Sequence, residues 1–184
     1  MNLIHLLPIG QTGDDLLRQL GVALAAEFAA QWEVLDQTLD PHPAFHVGRQ
    51  QYFSTEILAR MQDCRTAASW RLLGVTSLDL YIPILTFVFG EAQLNGACAL
   101  VSTHRLREEF YGLPADRELL QERLLKEGVH ELGHTLSLTH CENYRCAMAP
   151  SHTVEWIDLK GSRLCEGCRR RAGVGMQSPE YSAS

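Results

Sequence analysis

The chain has 184 residues, of which 46% are hydrophobic and 21% are charged. This composition is typical of a soluble globular protein, and the length fits one domain or one domain with two lobes. The net charge of −6 argues against a broad surface for nucleic acid or anionic membranes. The first residues carry no basic segment and their apolar run is short, so we expect no signal peptide, no membrane span and a cytoplasmic protein.

The first part of the chain predicts strands that alternate with helices. Hydrophobic periodicity indicates a buried strand at residues 3–9, an amphipathic helix at 14–30 and a short strand at 32–35. Thr12 or Asp14 is the expected cap of that helix. Residues 51–70 are predicted to be mostly helical, with Ser54 as the cap.

The middle of the chain predicts further strands followed by a long helix. Residues 72–76 and 84–89 are expected to be strands, and the apolar run 81–89 is typical of a central strand in a helix-covered sheet. After the Asn95-Gly96 turn, residues 97–102 form another predicted strand. Asp116 should cap a helix whose apolar stripe contains Leu125, Val129, Leu132 and Leu136. This order predicts an α/β fold with a sheet layer and a helix beneath it, and the small polar tail 172–184 should be poorly ordered.

Three histidines and one glutamate form the most informative pattern in the chain. His130 and His134 are one helical turn apart, so both can contact one metal ion from the same helix face. His140 can complete the site if the chain turns back after the helix. Three nitrogen ligands with an open fourth position are typical of catalytic zinc, and Glu131 would then be the general base.

Four of the six cysteines lie between residues 141 and 168, in pairs with spacings C-x4-C and C-x2-C. In an intracellular chain this grouping favours a second, structural zinc site. The alternative is that the pairs are free or redox-active, since C-x2-C alone can be a redox motif. His152 is a spare candidate ligand, and Cys64 and Cys98 are expected to be isolated buried thiols. The predicted structural ligands are Cys141, Cys146, Cys165 and Cys168.

The pattern of histidines and cysteines resembles the archaemetzincins, a branch of the metzincin metallopeptidases. The resemblance rests on His130-Glu131-x-x-His134-x-x-Ser137-x-x-His140-Cys141-x4-Cys146-x-Met148 and then Cys165-x-x-Cys168. It is close over about the last third of the chain and looser upstream, at residues 87–90 and 97–102.

The resemblance implies a metzincin-like fold with a twisted mixed sheet, an active-site helix beneath it and a small zinc-stabilised C-terminal lobe. The lobes would be residues 1–138 and 139–184, and Met148 would form the methionine turn beneath the catalytic metal. An edge strand would line the cleft and pair with the substrate backbone. The candidate for this strand is 97–102, through Ala97, Cys98, Ala99 and Leu100.

One position departs from the family pattern, which has glycine where this chain has Ser137. That glycine lets the chain leave the helix with a positive φ. Serine must therefore accept a strained backbone or change the turn that brings His140 to the metal.

These observations predict a zinc metallopeptidase with two zinc ions. We expect a monomer that acts on peptides or unfolded polypeptide, with no nucleic-acid or membrane partner. Because successive side chains of an extended chain point in opposite directions, His140 and Cys141 can serve the two ions separately. The alternative is a non-catalytic zinc-binding interaction module with a degenerate histidine site, which the presence of Glu131 disfavours. Tyr144 is a weaker candidate, as an oxyanion stabiliser.

Overall fold

The computed structural model describes residues 2–174. Within them, none of the helices combines the length and the apolar character that crossing a bilayer requires. The tail predicted to be poorly ordered lies outside the described residues from position 175 onwards. The elements in chain order are β1 (Leu3–Ile9), α1 (Asp14–Phe28), β2 (Gln31–Val34), β3 (Phe45–His46), β4 (Gln51–Phe53), α2 (Ser54–Arg60), β5 (Arg71–Thr76), β6 (Leu80–Tyr81), β7 (Gly90–Ala92), β8 (Cys98–Ser102), α3 (Arg117–Thr135), α4 (Val154–Leu159) and α5 (Glu166–Ala172).

A mixed sheet of five strands in the order β2-β1-β5-β8-β7 carries the fold. The four strands β2, β1, β5 and β8 are parallel, and β7 runs antiparallel to β8. A smaller sheet contains β3, β4 and β6. The mixed sheet with the long helix α3 packed on β8 confirms the predicted fold class.

Two hydrophobic cores cover the two faces of the large sheet. Successive residues of a strand point to opposite faces, so Leu6 packs with α1 and α3 while Leu7 packs with α2. In β5, Leu73 packs on the α1 and α3 side and Leu72 packs on the α2 side. Because both faces are covered, the central strands are buried along almost their whole length and are mostly apolar.

The C-terminal segment is fixed to the first helix by a buried carboxylate. Glu27 of α1 accepts a hydrogen bond from the backbone N–H of Leu164 at 2.9 Å and from the guanidinium of Arg169 at 2.6 Å. The segment that carries the cysteines therefore packs against the sheet-and-helix body of the protein.

The prediction that residues 97–102 form the edge strand is wrong. β8 lies between β5 and β7, so both of its hydrogen-bonding edges are occupied, and all five of its residues are buried. A substrate backbone cannot pair with it. The edge strand is β7, because the chain makes a hairpin at residues 93–97 that places the earlier strand on the outside. Chain order did not indicate this, and Ala97, Cys98, Ala99 and Leu100 are not substrate-pairing residues.

Residues 84–89 are also not the predicted central strand. Only Val88 makes a β-bridge, to Leu80, and Ile84 is 87% exposed. The carbonyls of Leu85 and Thr86 accept hydrogen bonds from Arg49 at 2.9 and 3.0 Å, in place of a strand partner. Leu85 and Phe87 therefore line a cleft, while Phe89 also joins the core on the α1 and α3 side of the sheet.

The cap predictions had mixed outcomes. Asp116 accepts a hydrogen bond from the backbone N–H of Leu119 at 2.9 Å and caps α3 as predicted. Gly13 precedes α1, and neither Thr12 nor Asp14 caps it. Residues 51–70 begin as strand β4, so Ser54 is the first residue of α2 and not its cap. The Ser54 hydroxyl instead donates to the carboxylate of Glu91 on the edge strand.

Ser137 adopts the left-handed conformation, with φ +64°. Its hydroxyl donates to the side-chain oxygen of Asn95 at 2.9 Å. The backbone N–H of Asn95 in turn donates to the carbonyl of His134 at 3.1 Å. The turn between β7 and β8 thus holds the end of α3, and the chain keeps the backbone geometry that glycine would give.

We predict that Ser137→Val destabilises the protein by about 1–2 kcal/mol, because a β-branched side chain tolerates positive φ poorly and the hydroxyl is lost. Ser137→Gly should lie within about 1 kcal/mol of the wild type, because relief of strain offsets the lost hydrogen bond and the added chain entropy. Urea denaturation measures both. Equal losses in the two variants would show that the hydrogen bond to Asn95, and not the backbone conformation, decides stability here.

Candidate active site

Helix α3 places the imidazoles of His130 and His134 close together. Nδ1 of His130 lies 2.8 Å from the carbonyl oxygen of Ala147, and Nδ1 of His134 lies 2.8 Å from that of Leu138. A carbonyl only accepts, so each Nδ1 carries the proton and each Nε2 has a free lone pair. The two Nε2 atoms are 3.1 Å apart.

His140 completes a cluster of three histidines. Its ring centroid lies 5.3 Å from those of His130 and His134, and one nitrogen of each ring lies within 4.8 Å of the others. Burial lowers the pKa of all three imidazoles, most strongly for His130, where the charge of Lys160 adds to the effect. The three rings are therefore neutral near pH 7, which is the form that binds metal.

The spacing of the histidine nitrogens fits zinc. Zn–N bonds of about 2.0–2.1 Å at tetrahedral angles place two ligand nitrogens about 3.3 Å apart, close to the separation of the two α3 nitrogens. Two lone pairs facing each other at this distance repel unless a cation lies between them. The cluster thus has the chemistry of a three-nitrogen zinc site with one open position.

Glu131 lies in the floor of a cleft of about 690 Å³. α3 forms the floor, residues 85–92 form one wall, and Thr139, His140 and residues 150–152 form the other. Burial raises the pKa of the Glu131 carboxyl well above its usual range, the charges of Glu127 and Glu91 add to this, and Lys160 opposes it. A carboxylate in this setting is a stronger base than one in water.

The edge strand passes directly over Glu131. A Cβ atom on Gly90 would lie 2.7 Å from Cγ of Glu131 and 2.5 Å from the carbonyl oxygen of Leu100, so only glycine allows this close approach. β7 ends the sheet, and no strand in residues 2–174 pairs with its outer edge. The free backbone groups of β7 therefore face the cleft beside the base.

Met148 is fully buried against the active-site helix. Its sulfur packs on Gly133, between the two histidines, where a Cβ atom would overlap it. Its carbonyl oxygen accepts a hydrogen bond from the backbone N–H of Cys141 at 2.9 Å. Met148 thus packs on the part of α3 between the two histidines and also contacts the segment that carries the third histidine, and its role as a methionine turn stays a prediction.

The four clustered cysteines form a second potential metal site. Their sulfurs all lie within 4.8 Å of one another, and those of Cys141 and Cys165 are 3.8 Å apart. Zn–S bonds of about 2.3 Å at tetrahedral angles give a sulfur separation of about 3.8 Å. Burial opposes ionisation of Cys165, but hydrogen bonds from Cys168 and the neighbouring thiols outweigh it and lower its pKa to about 7. The set therefore fits a tetrahedral zinc ion held by thiolates.

Other candidates from the sequence lie elsewhere. His152 lines the active-site cleft and is not part of the cysteine group. Tyr144 is 65% exposed and lies outside the cleft, in a separate apolar depression beside His140. Cys98 is buried in the core on the α2 side, where burial raises its pKa to about 11, and Cys64 packs against the same core.

Sequence reasoning missed a row of buried charges on α3. Arg123 pairs with Asp158 at 2.7 Å, Lys126 donates to the Asp158 carbonyl at 3.1 Å, and Glu127 pairs with Lys160 at 2.7 Å. Arg123, Lys126 and Glu127 share a helix face with His130. Their spacing along α3 was the sequence signal that could have indicated this row of charges. The partner segment lies more than thirty residues downstream, and nothing in its sequence marks it.

Comparison with known proteins identifies the class to which this fold and site belong. Residues 42–172 match peptidase family M54, and the chain belongs to this family. The archaemetzincin of Methanocaldococcus jannaschii is 42% identical over 89% of each chain, and that of Pyrococcus furiosus is 36% identical over 92% of each. The resemblance to archaemetzincins is thereby confirmed.

Solved structures have the same fold. A zinc-dependent peptidase from Methanocorpusculum labreanum superposes with a TM-score of 0.83 at 32% identity, over 92% of this chain and 99% of that chain. The archaemetzincin of Archaeoglobus fulgidus, complexed with malonate, gives a TM-score of 0.79 at 37% identity over the same shares. Nearly the full length of these relatives is therefore represented in the chain.

We predict that Gly133→Ala lowers the free energy of unfolding by about 1–3 kcal/mol, because the added methyl group must displace the Met148 sulfur. Gly167→Ala is the matched control, since a Cβ atom there meets nothing within 4 Å. That change should be neutral or stabilising by about 0.5–1 kcal/mol, because alanine favours the helix. Thermal or urea denaturation measures both, and equal effects would show that Met148 does not press on α3.

Proposed function

We propose that this protein is a zinc-dependent peptidase of the metzincin type that hydrolyses peptide bonds in the cleft between β7 and α3. One observation carries the proposal. Three neutral imidazoles converge on one point directly beside a buried carboxylate, at the floor of an open cleft. The name of the M. labreanum neighbour, a zinc-dependent peptidase, is consistent with this chemistry.

In this proposal His130, His134 and His140 hold the catalytic ion through one nitrogen each. Bound zinc supplies Lewis acidity, which lowers the pKa of water and polarises a carbonyl group. The protein's own part is to keep the rings neutral and aligned. The carbonyls of Ala147 and Leu138 fix the tautomers of His130 and His134, so that Nε2 of each ring faces the cleft.

Glu131 acts as the general base. Its carboxylate accepts a proton from the attacking water and then delivers it to the nitrogen of the leaving amine. The raised pKa assists the first step, because a carboxylate with a higher pKa is a stronger base. Gly90 keeps the space above this carboxylate narrow.

The substrate is an extended polypeptide segment that pairs with the outer edge of β7. A free strand edge offers alternating N–H and C=O groups, and an added strand satisfies them. This edge passes over Glu131, so a segment bound there lies across the base and the three histidines. A folded protein offers few such segments, which favours peptides and unfolded chains as substrates.

Cys141, Cys146, Cys165 and Cys168 hold the second zinc ion, which has a structural role. Four thiolates close the coordination sphere and leave no position for a substrate. We place the boundary between the two lobes at residues 138 and 139, after the turn that leaves α3. We further propose that the protein is a monomer in the cytoplasm. Its acidic net charge suits neither nucleic acid nor an anionic membrane, so we propose no partner of these two kinds.

The alternative of a non-catalytic zinc module has less support. Burying a carboxylate without a hydrogen-bonding role destabilises a fold. Glu131 is 6% exposed and lies beside the histidines at an accessible cleft, where a base is useful and a structural role is not evident.

We predict two zinc ions per chain in protein purified without added metal, measured by elemental analysis. A chelator should remove the ion of the open histidine site first, because the closed thiolate site binds zinc more tightly. Cys165→Ser should lose one zinc ion and lower the melting temperature, since structural zinc contributes folding free energy. Cys64→Ser, outside the cluster, is the control and should keep both ions. A Cys165→Ser protein with unchanged zinc content would refute the structural site.

We predict that Glu131→Gln lowers the rate of peptide hydrolysis by about 10²–10⁴-fold, the typical contribution of a general base. Its zinc content should not change, because Glu131 is not a ligand in this proposal. Glu118→Gln, an exposed glutamate in the first turn of the same helix, should have wild-type activity. Digestion of a quenched-fluorescent peptide library gives the rates. Full activity in Glu131→Gln would contradict the mechanism.

A further inference from the structure

Three successive backbone carbonyls, of Ala147, Met148 and Ala149, organise the histidine site. The first accepts from Nδ1 of His130 at 2.8 Å, and the second accepts from the backbone N–H of Cys141, next to His140, at 2.9 Å. The third lies 3.3 Å from Nζ of Lys160, which donates to it. Residues 147–149 thus contact the surroundings of two of the three histidines, and one lysine holds the end of this segment.

Lys160 connects the segment to the active-site helix. It follows α4, is 3% exposed, and its ammonium lies 2.7 Å from the carboxylate of Glu127. Glu127 is 3% exposed and precedes His130 by one turn of α3. The ammonium therefore bridges the carbonyl of Ala149 and the helix that carries two of the ligands.

The same ammonium also touches the His130 ring. Nζ lies 3.4 Å from Nδ1, but both groups are donors, since Nδ1–H already binds the carbonyl of Ala147. This contact is therefore not a hydrogen bond. It limits how far the ring can rotate away from Ala147 and from the other two histidines.

We propose that Lys160 is a positioning residue for the three-histidine site. Through its contacts with Ala149, Glu127 and the His130 ring, it keeps the histidine rings in the positions that bind metal. The inference rests on the proposed function only in taking these histidines as metal ligands. Groups that orient metal ligands typically change metal affinity by about 10–100-fold when they are removed.

Lys126 is a matched control within the same row of charges. It is also 3% exposed, and its ammonium binds Glu122 at 2.7 Å and the carbonyl of Asp158 at 3.1 Å. It joins α3 to the segment that precedes Lys160, but no hydrogen bond or ion pair connects it to residues 147–149 or to a histidine. Loss of Lys126 therefore tests the effect of removing a buried lysine without disturbing the site.

The experiment titrates the zinc-loaded full-length protein with a chelator and counts the zinc retained per chain. Lys160→Met should release the histidine-site ion at a chelator concentration about 10–100-fold lower than the wild type, with the thiolate-site ion retained as before. Cobalt substitution separates the two sites, because thiolate ligands add charge-transfer absorption that imidazoles do not. Lys126→Met should lower the melting temperature and leave the histidine-site affinity unchanged.

A second variant covers the case in which Lys160→Met does not fold, since it leaves Glu127 buried and unpaired. Glu127→Gln/Lys160→Met removes both charges, and it should restore the melting temperature while the histidine site still binds zinc about tenfold more weakly. Wild-type affinity in this double variant would show that Lys160 only neutralises Glu127, and would overturn the inference. Equal weakening in the Lys160 and Lys126 single variants would also overturn it. A wild-type protein that binds no metal at the histidines would refute the proposed function as well.

Discussion

The backbone hydrogen bond from Cys141 to Met148 joins the two groups of potential metal ligands. It holds the chain at His140 and Cys141 against the segment whose Met148 packs on α3. His140 can then face the cleft while Cys141 faces the other cysteines. A closed thiolate site that includes Cys141 would therefore restrict the motion of the adjacent third histidine.

The site concentrates buried charge that the hydrophobic cores alone would not tolerate. Lys160, Glu127 and Arg123 are almost fully buried, and each has an oppositely charged partner within 2.7 Å. Such pairs offset their desolvation only when their geometry is good. These pairs join α3 to the segment around Asp158 and Lys160, and they add to the apolar contacts that Val154 and Ile157 of α4 make in the same core.

The sequence predicted what depends on local spacing and missed what depends on strand order and distant partners. His130 and His134 are close because a helix places them so, and the left-handed conformation of Ser137 follows from the turn that a family glycine would make. The edge strand was assigned wrongly because a hairpin reverses the order of β7 and β8 in space. Residues 84–89 are as apolar as a core strand, but the carbonyls of Leu85 and Thr86 bind Arg49, and only Val88 makes a β-bridge. No sequence pattern indicated a role for Lys160, since its partners on α3 and at Ala149 are distant from it along the chain.

The order of the elements along the chain has a consequence for biosynthesis. The five strands of the large sheet and helix α1 precede every ligand of both clusters, which lie at residues 130–168. Domains generally fold from the N-terminus during translation, at roughly 5–20 residues per second, so the last cysteine follows the first histidine by a few seconds. The nascent chain can form its sheet while it still lacks a complete metal centre. The chain thus acquires both groups of potential metal ligands only after the strands of its main scaffold have been made.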